Sequence, residues 1–491
     1  MEPSETRAGE QGTIESGVFP SWWQPVLLGA LAGGMGWGIR GQYGHETGAM
    51  IAGLLVSLLL VLLFCPRAAS LPAARAIAWC TVAIGFGGSM TYGQTIGLTQ
   101  DAALIGNWAA LGWGMLGLAV KGGIWIGFAG LFLGMGLGGI RYRARELLLL
   151  MGALIGLFLA GIYVLNSPFD PANKLLPKIY FSADWYWRPD AEDLKPRREV
   201  WGGLLLALLG ALLYAGVWRR DRLVWNLALW GMVGGAVGFP FGQSLQAFHA
   251  WNPGVFREGL WTKLDPHMNW WNMMETTFGA TAGAALGLGL WCNRRSIAAV
   301  HHDAEVTISP PLEWLLAGTH VALLVLAEFG PIPIIGFVYS WGLVMGVLPI
   351  VASAGGRWWP YLLMLPITAA PIAGKTLRQL AYRETAISPG IGWGVYVVAP
   401  MLITTIAAVW FAAQARGVRD GRGLAGPALV LSTWLYFGLN FAFFRFPWPW
   451  DPWTGRTPNA IIFFVCAVGL TIAAATVAVR CSGTRGKRGH H

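Results

Sequence analysis

The chain has 491 residues, of which 55% are hydrophobic and only 12% are charged, whereas an ordinary soluble domain carries about 25% charged residues. This composition excludes a soluble globule. The net charge of +10 is spread over short loops in twos and threes, which argues against nucleic acid as a partner and fits the cytoplasmic flanks of membrane helices.

Apolar runs of about 20 residues, the length that crosses a hydrocarbon core, recur from end to end. We therefore predict an all-α, polytopic transmembrane bundle of about 13 to 15 spans, since some Gly-rich segments can be re-entrant. The apolar segments cover residues 25–38, 47–64, 74–98, 104–120, 122–140, 146–165, 200–217, 223–249, 270–291, 312–328, 334–354, 358–373, 391–414, 424–444 and 459–479.

The polar stretches divide the chain. Residues 1–24 are polar and lack the basic and short apolar regions of a cleavable signal peptide. Two membrane halves, 25–291 and 312–479, flank a cytoplasmic linker at 292–311, and a basic tail follows at 480–491. The lipid bilayer is the expected environment of both halves, and a homo-oligomer is compatible with the pattern.

Basic loops give the orientation. They share one side if each intervening helix pair crosses twice, and they lie at 141–145, 219–222, 294–295, 416–422 and 480–488. The positive-inside rule places this side and the C-terminus in the cytoplasm, with the chain in the plasma membrane. Segments 166–199, 250–268 and 445–458 are then external. The basic stretch 375–383 also falls outside and breaks the rule.

Small residues recur at helical spacing. One face carries Gly123, Gly127, Gly130, Gly134 and Gly138, and another carries Gly279, Gly283 and Gly287. In lipid, such faces let helix backbones approach closely. We interpret both as packing surfaces.

A short repeat places Gly-Gln at three points, each predicted to end a Gly-rich helix: Gln42, Gln94 and Gln243. Asn107 and the Asn269-Trp270 pair follow the second and third copies, each ten residues before a glycine. Broken helices leave backbone groups that protein or a polar cavity must satisfy. If the three ends converge, their amides would line a pocket for a polar, largely uncharged ligand, as in many secondary transporters.

Charged residues beside the first copy provide a second candidate. Arg40, His45 and Glu46 can form a charge-balanced triad in which His45 titrates near neutral pH. Alternatively, they occupy a turn at the membrane surface. Glu46 then only complements the helix dipole in the first turn of the next helix.

Deeper polar residues extend the candidate set. Glu275 lies six residues into a helix, and Lys121 is a possible partner or else an interfacial lysine whose charge reaches the surface. Gln243, Gln246 and His249 follow at near-helical spacing.

The favoured function is a transporter or permease for a small polar or sugar-like solute, with proton coupling as an option. One alternative is a membrane-embedded transferase or hydrolase for a lipid-linked or glycan substrate, with His249, Asp265, His267 or Glu275 as acid or base. The aromatic, acidic loops that favour it lie at 183–190 and 446–453. Another alternative is a structural or assembly subunit. The five cysteines show no ligand spacing, and no cofactor or metal motif is present.

Overall fold

The computed structural model describes residues 20–66, 68–298, 305–330, 332–415, 423–445 and 452–486. Within these ranges every regular element is a helix, which confirms the predicted all-α polytopic bundle. The polar residues 1–19, the basic loop 416–422 and the aromatic residues 446–451 lie outside the described residues.

The first half of the chain contains ten helices: α1 (Trp23–Arg40), α2 (Thr47–Phe64), α3 (Ser70–Gly87), α4 (Gly93–Gln100), α5 (Trp108–Leu137), α6 (Ala144–Leu165), α7 (Trp201–Trp218), α8 (Arg222–Trp251), α9 (Trp261–Leu264) and α10 (Trp270–Cys292). The second half, as described, contains seven: α11 (Pro310–Phe329), α12 (Pro333–Tyr339), α13 (Gly342–Gly355), α14 (residues 359–383), α15 (Pro389–Gln414), α16 (Ala425–Phe443) and α17 (Thr457–Gly486).

Ten of these helices in the described residues are long and apolar enough to cross a membrane. The pair α12 and α13, bent by 74°, adds one broken span. The helices α1, α10 and α14 have spanning length but carry more polar residues or glycines. By length and composition the described residues contain ten spans, or eleven with the bent pair, which is fewer than the predicted range of about 13 to 15.

Two predicted boundaries are wrong. The segments 104–120 and 122–140 form one helix, α5, of 30 residues, because the charge of Lys121 is neutralised inside the bundle and does not end the helix. The segment 74–98 is interrupted, since α3 ends at Gly87 and the short helix α4 begins at Gly93.

The centre of the first half is built on glycine contacts between antiparallel helices. Along α1 and α10, Gly29 lies against Gly283 and Gly33 against Gly279. Along α5 and α8, Gly122 and Gly235 meet in the same way. A Cβ at any of these positions would meet the facing backbone, so the helices approach more closely than larger side chains allow.

Hydrogen bonds between loops show which loops lie at the same end of the bundle. The Arg219 side chain donates to the Arg141 carbonyl at 2.9 Å, and Ala298 N–H donates to the Leu137 carbonyl at 2.9 Å. The loops 138–143, 219–221 and 293–298 therefore lie at one end, which we call the basic end. The last turn of α1 and the first turn of α10 lie at the opposite end, which we call the site end.

Candidate functional site

The site end contains a buried ion pair between α1 and α10. Arg40 Nη2 donates to Glu275 Oε1 at 2.8 Å, and the two side chains are 2% and 1% exposed. Arg40 is the last residue of α1, and Glu275 lies in the second turn of α10. The glycine contacts between these antiparallel helices bring the two ends together, so the pair depends on the packing of their whole length.

Aromatic rings enclose the guanidinium of Arg40. Its Cζ lies 5.4 Å from the ring centroid of Trp37 and 5.3 Å from those of Tyr92 and Trp125. The Tyr92 hydroxyl bonds to the guanidinium and lies 3.1 Å from Glu275 Oε1, which also accepts from Trp271 Nε1 at 3.1 Å. We call Trp37, Tyr92, Trp125 and Glu275 the cation cage, because aromatic faces and a carboxylate both attract a cation.

Two polar atoms of the pair lack a partner. Arg40 Nε and Glu275 Oε2 are buried and make no hydrogen bond to any residue that the structure describes. Glu275 Oε2 lies beneath the exposed Gly41, where an added Cβ would be 2.6 Å away. A buried polar atom without a partner costs about 1 to 3 kcal/mol, more for a charged group, so this site carries unused bonding capacity.

A second arginine, Arg456 in the loop before α17, lies close enough to the same carboxylate to interact with it electrostatically. Burial lowers the pKa of Arg456, while attraction to Glu275 acts in the opposite direction. Gln42 lies between the Ile39 carbonyl, at 3.0 Å, and Arg456 Nη1, at 2.8 Å. Gln42 therefore joins the end of α1 to Arg456.

The predicted triad of Arg40, His45 and Glu46 does not form as a set of direct contacts. Arg40 bonds to Glu275 instead, because the glycine-lined contact of α1 with α10 turns its side chain into the bundle. The His45 ring packs edge-on against Tyr92, with centroids 5.0 Å apart. Glu46 lies directly before α2, close enough to interact electrostatically with Arg40.

The turn at residues 41–46 is also fixed from its other side. Lys375 Nζ, in α14, donates to the Tyr43 carbonyl at 2.7 Å and pairs with Glu328 Oε1 at 2.7 Å. Gly44 has a φ of +91°, a conformation that suits glycine. The basic stretch 375–383 thus lies at the site end, as its position in the chain predicts, and its lysine is used for packing.

Lys121 does not pair with Glu275, its possible partner from the sequence. Lys121 Nζ lies 2.6 Å from Glu199 Oε1, and both side chains are buried. Further bonds of 2.7 to 3.0 Å join this pair to the Thr95 hydroxyl, the Thr91 carbonyl, the Ser182 hydroxyl and the Phe181 backbone N–H. Lys121 is therefore not an interfacial lysine that reaches the surface, because Glu199 comes from the segment that folds over α4.

The three Gly-Gln glutamines bond to different groups. Gln94 bonds to the segment 166–199, donating to the Lys195 carbonyl at 2.8 Å and accepting from Arg197 N–H at 3.0 Å. Gln243 donates to Thr99 Oγ1 at 2.7 Å, and its Oε1 is buried without a partner. They share no hydrogen-bond partner with Gln42 in the described residues.

The prediction that each Gly-Gln ends a helix holds at one copy only. The helix α1 ends before Gln42, whereas Gln94 lies in the first turn of α4. The helix α8 runs through Gln243 to Trp251 despite Pro240, because a single missing donor in a long packed helix is tolerated.

The remaining candidates are mainly helix caps and a second cluster. We call His249, Asp265 and Trp270 the outer cluster. Asn107 and Asn269 cap α5 and α10, accepting from backbone N–H groups at 3.0 and 2.9 Å. His249 Nε2 lies 2.8 Å from Asp265 Oδ1, and its ring stacks on Trp270 at 4.5 Å. Gln246 is buried one turn before His249, with Oε1 unpartnered, and His267 packs against Trp453 at 5.8 Å.

A cleft of about 580 Å³ opens at the site end beside Tyr92. Its lining residues come from α4 and from the segment after α6: Gly93, Gln94, Gly97, Asp101, Ala183, Arg188, Asp193, Leu194, Lys195, Pro196 and Arg197. Below it, burial raises the pKa of Asp184, although backbone N–H groups of Tyr186 and Trp187 act against this shift.

The sequence analysis did not identify the aromatic residues around the ion pair. Trp271 is four residues before Glu275, one helical turn, so its contact was open to prediction from spacing. Trp37 and Trp125 come from distant helices and resemble the many interfacial tryptophans in sequence. Among the described residues, no group of three His, Cys, Asp or Glu side chains could hold a metal ion.

Comparison with protein families, with curated proteins and with solved structures finds no match for this chain.

Proposed function

We propose that the protein is a transporter or permease for a small polar solute and that the Arg40–Glu275 pair is its binding centre. The observation that carries the proposal is a buried ion pair that retains an unpartnered carboxylate oxygen and an unpartnered guanidinium nitrogen. Ionisable groups inside a membrane bundle are expensive, and they commonly mark substrate, ion or proton pathways. A ligand that donates to Glu275 Oε2 would use this capacity.

The surroundings of the pair support solute access from the site end. Gly41 is exposed and lies directly above Glu275 Oε2, so a short path joins the carboxylate to the surface. His45 and Glu46 follow on the same turn, where they offer groups that exchange protons. Proton coupling through Glu275 and these two residues is part of the proposal.

The test is uptake by proteoliposomes containing the full chain. Vesicles are incubated with a mixture of amino acids, sugars, polyols and small amines, and the solutes in the lumen are identified by mass spectrometry. We expect at least one solute to accumulate above empty vesicles, and Glu275→Gln to abolish that uptake. Glu146→Gln is the matched control, because Glu146 pairs with Arg219 at the basic end.

Equal uptake by wild type and Glu275→Gln would remove the pair from the transport path. Uptake equal to that of empty vesicles for every solute in the mixture would contradict the transporter proposal. Repeating the assay under an imposed pH gradient tests the coupling. Flux that does not change with the gradient would exclude a proton role for Glu275, His45 and Glu46.

We also propose that the basic end faces the cytoplasm and that the membrane is the plasma membrane. Basic loops at 141–145 and 219–222 share that end, and cytoplasmic loops carry the excess of Lys and Arg. Reporter enzymes fused to the C-terminus, active only on one side of the membrane, test this orientation. Activity confined to the external side would reverse it.

The second candidate function is a membrane-embedded transferase or hydrolase, and the outer cluster supports it. The contact between His249 and Asp265, partly exposed beside Trp270, pairs an acid/base group with an aromatic platform that suits a sugar ring. Membranes from cells producing wild type or His249→Gln would be compared for lipid-linked saccharides by mass spectrometry. Identical profiles would leave this function without support.

A further inference from the structure

We propose that the solute is a small organic monocation with a guanidinium or alkylammonium head, and that Arg40 occupies its site in the empty protein. This inference rests on the proposed function and specifies its substrate class. The structure places the guanidinium of Arg40 where such a ligand would bind, within the cation cage of Trp37, Tyr92, Trp125 and Glu275. Arg40 is thus a tethered competitor for the cage.

The chemistry of the cage selects for charge. Three ring centroids lie 5.3 to 5.4 Å from the guanidinium carbon, and Glu275 Oε1 accepts from it at 2.8 Å. Aromatic faces attract cations, most strongly where water is excluded, and cages of this kind bind ammonium ligands. A neutral solute would gain nothing from the ring quadrupoles and would leave the Glu275 carboxylate uncompensated.

The fit of Arg40 to the cage is incomplete. Its Nε donor and the Oε2 acceptor of Glu275 remain unpartnered. The tether causes this mismatch, because the end of α1 fixes where the guanidinium lies. A free ligand with two N–H groups can turn to reach both carboxylate oxygens, as bidentate pairs do.

Glu46 is an alternative carboxylate with which Arg40 can pair. Glu46 follows Arg40 after the turn 41–45 and already interacts with it electrostatically, and two of the five residues of that turn, Gly41 and Gly44, are glycines. When a cation enters the cage, Arg40 can pair with Glu46 and leave Glu275 to the ligand. Each carboxylate then keeps one cation, so the exchange does not leave a buried charge unpaired.

The test measures binding to the full-length protein in nanodiscs of zwitterionic lipid. Methylguanidinium chloride is the probe, N-methylurea is the neutral analogue of similar shape, and sodium chloride matches the ionic strength. We expect methylguanidinium to raise the midpoint of thermal unfolding in a saturable manner, as a ligand of the native state does. We expect N-methylurea to leave the midpoint unchanged.

Variants separate the cage from other cation sites. Arg40→Ala removes the competitor, so methylguanidinium should bind at least about tenfold more tightly, the effect of about 1.4 kcal/mol of lost competition. Glu275→Gln should abolish binding. Tyr92→Leu keeps all charges and should weaken binding about 2- to 30-fold, which covers the case in which Glu275→Gln does not fold. Arg219→Ala, at the basic end, should bind like the wild type.

Three results would overturn the inference. If methylguanidinium stabilises Arg40→Ala but never the wild type, the cage is a permanent clamp for Arg40. If its affinity is the same in wild type, Arg40→Ala and Tyr92→Leu, the cation binds elsewhere. Glu275-dependent uptake of a neutral solute without methylguanidinium binding would refute the cation class and leave the transporter proposal standing.

Discussion

Replacing Gly29 by Ala probes the contact that holds the ion pair together. An added Cβ at Gly29 would lie 2.5 Å from the Gly283 carbonyl oxygen and 3.0 Å from its carbon. Real contacts of this kind begin above 3.0 Å, so α1 and α10 must move apart by at least half an ångström. Overpacking of this kind typically costs about 1 to 3 kcal/mol, against a gain of up to about 1 kcal/mol from the better helix propensity of Ala.

The matched control is Gly152→Ala in α6, where an added Cβ meets nothing within 4 Å. Both substitutions gain the same helix propensity, so their difference isolates the clash. Thermal unfolding of purified protein, followed by the loss of monodisperse protein in size-exclusion chromatography, should place Gly29→Ala a few degrees below wild type and Gly152→Ala at or above it. If Gly29→Ala is as stable as Gly152→Ala, the close approach of α1 and α10 is not required for stability.

Three further predictions concern polar contacts. Lys121→Met should lower the free energy of unfolding by about 3 to 5 kcal/mol, because it leaves the buried Glu199 carboxylate without its cation. Replacing both residues with apolar ones should recover most of the loss. A single variant as stable as the double variant would contradict this. Asp221→Ala removes the side-chain cap of α8 and should lower stability by about 1 kcal/mol, whereas Asn should retain the cap. Glu328→Gln weakens the lysine anchor of the turn, so hydrogen exchange at residues 41–46 should accelerate, and unchanged protection would refute the anchoring.

Apolar run length was sufficient to predict the architecture. The boundaries of α2 follow directly from an uninterrupted apolar run, and they agree with the sequence prediction at both ends. Errors arose where composition is ambiguous. In the sequence, Lys121 indicates a break between two Gly-rich segments. In the structure it lies within one helix, because it pairs with Glu199, 78 residues later. No local pattern contains that information, because the neutralising group comes from a distant segment.

The candidate site was only partly open to prediction. Arg40 and Glu275 stand out because charges are rare in apolar segments, and the structure pairs them across 235 residues. Short Gly-Gln matches carried less information, since the same dipeptide ends α1, begins α4 and passes through α8. A dipeptide does not determine whether a helix stops. The tertiary partners of the backbone decide that, and they differ at each copy.

The two buried ion pairs of the first half differ in how completely their polar atoms are hydrogen-bonded. We assign one pair to packing and the other to ligand binding for this reason. The Lys121–Glu199 pair has a bonding partner for each of its polar atoms, so a ligand could only displace existing bonds. The Arg40–Glu275 pair retains a free oxygen and a free nitrogen within an aromatic enclosure. A cation that replaces Arg40 there can bond to the free carboxylate oxygen as well, so the new bonds at Glu275 exceed those that Arg40 gives up.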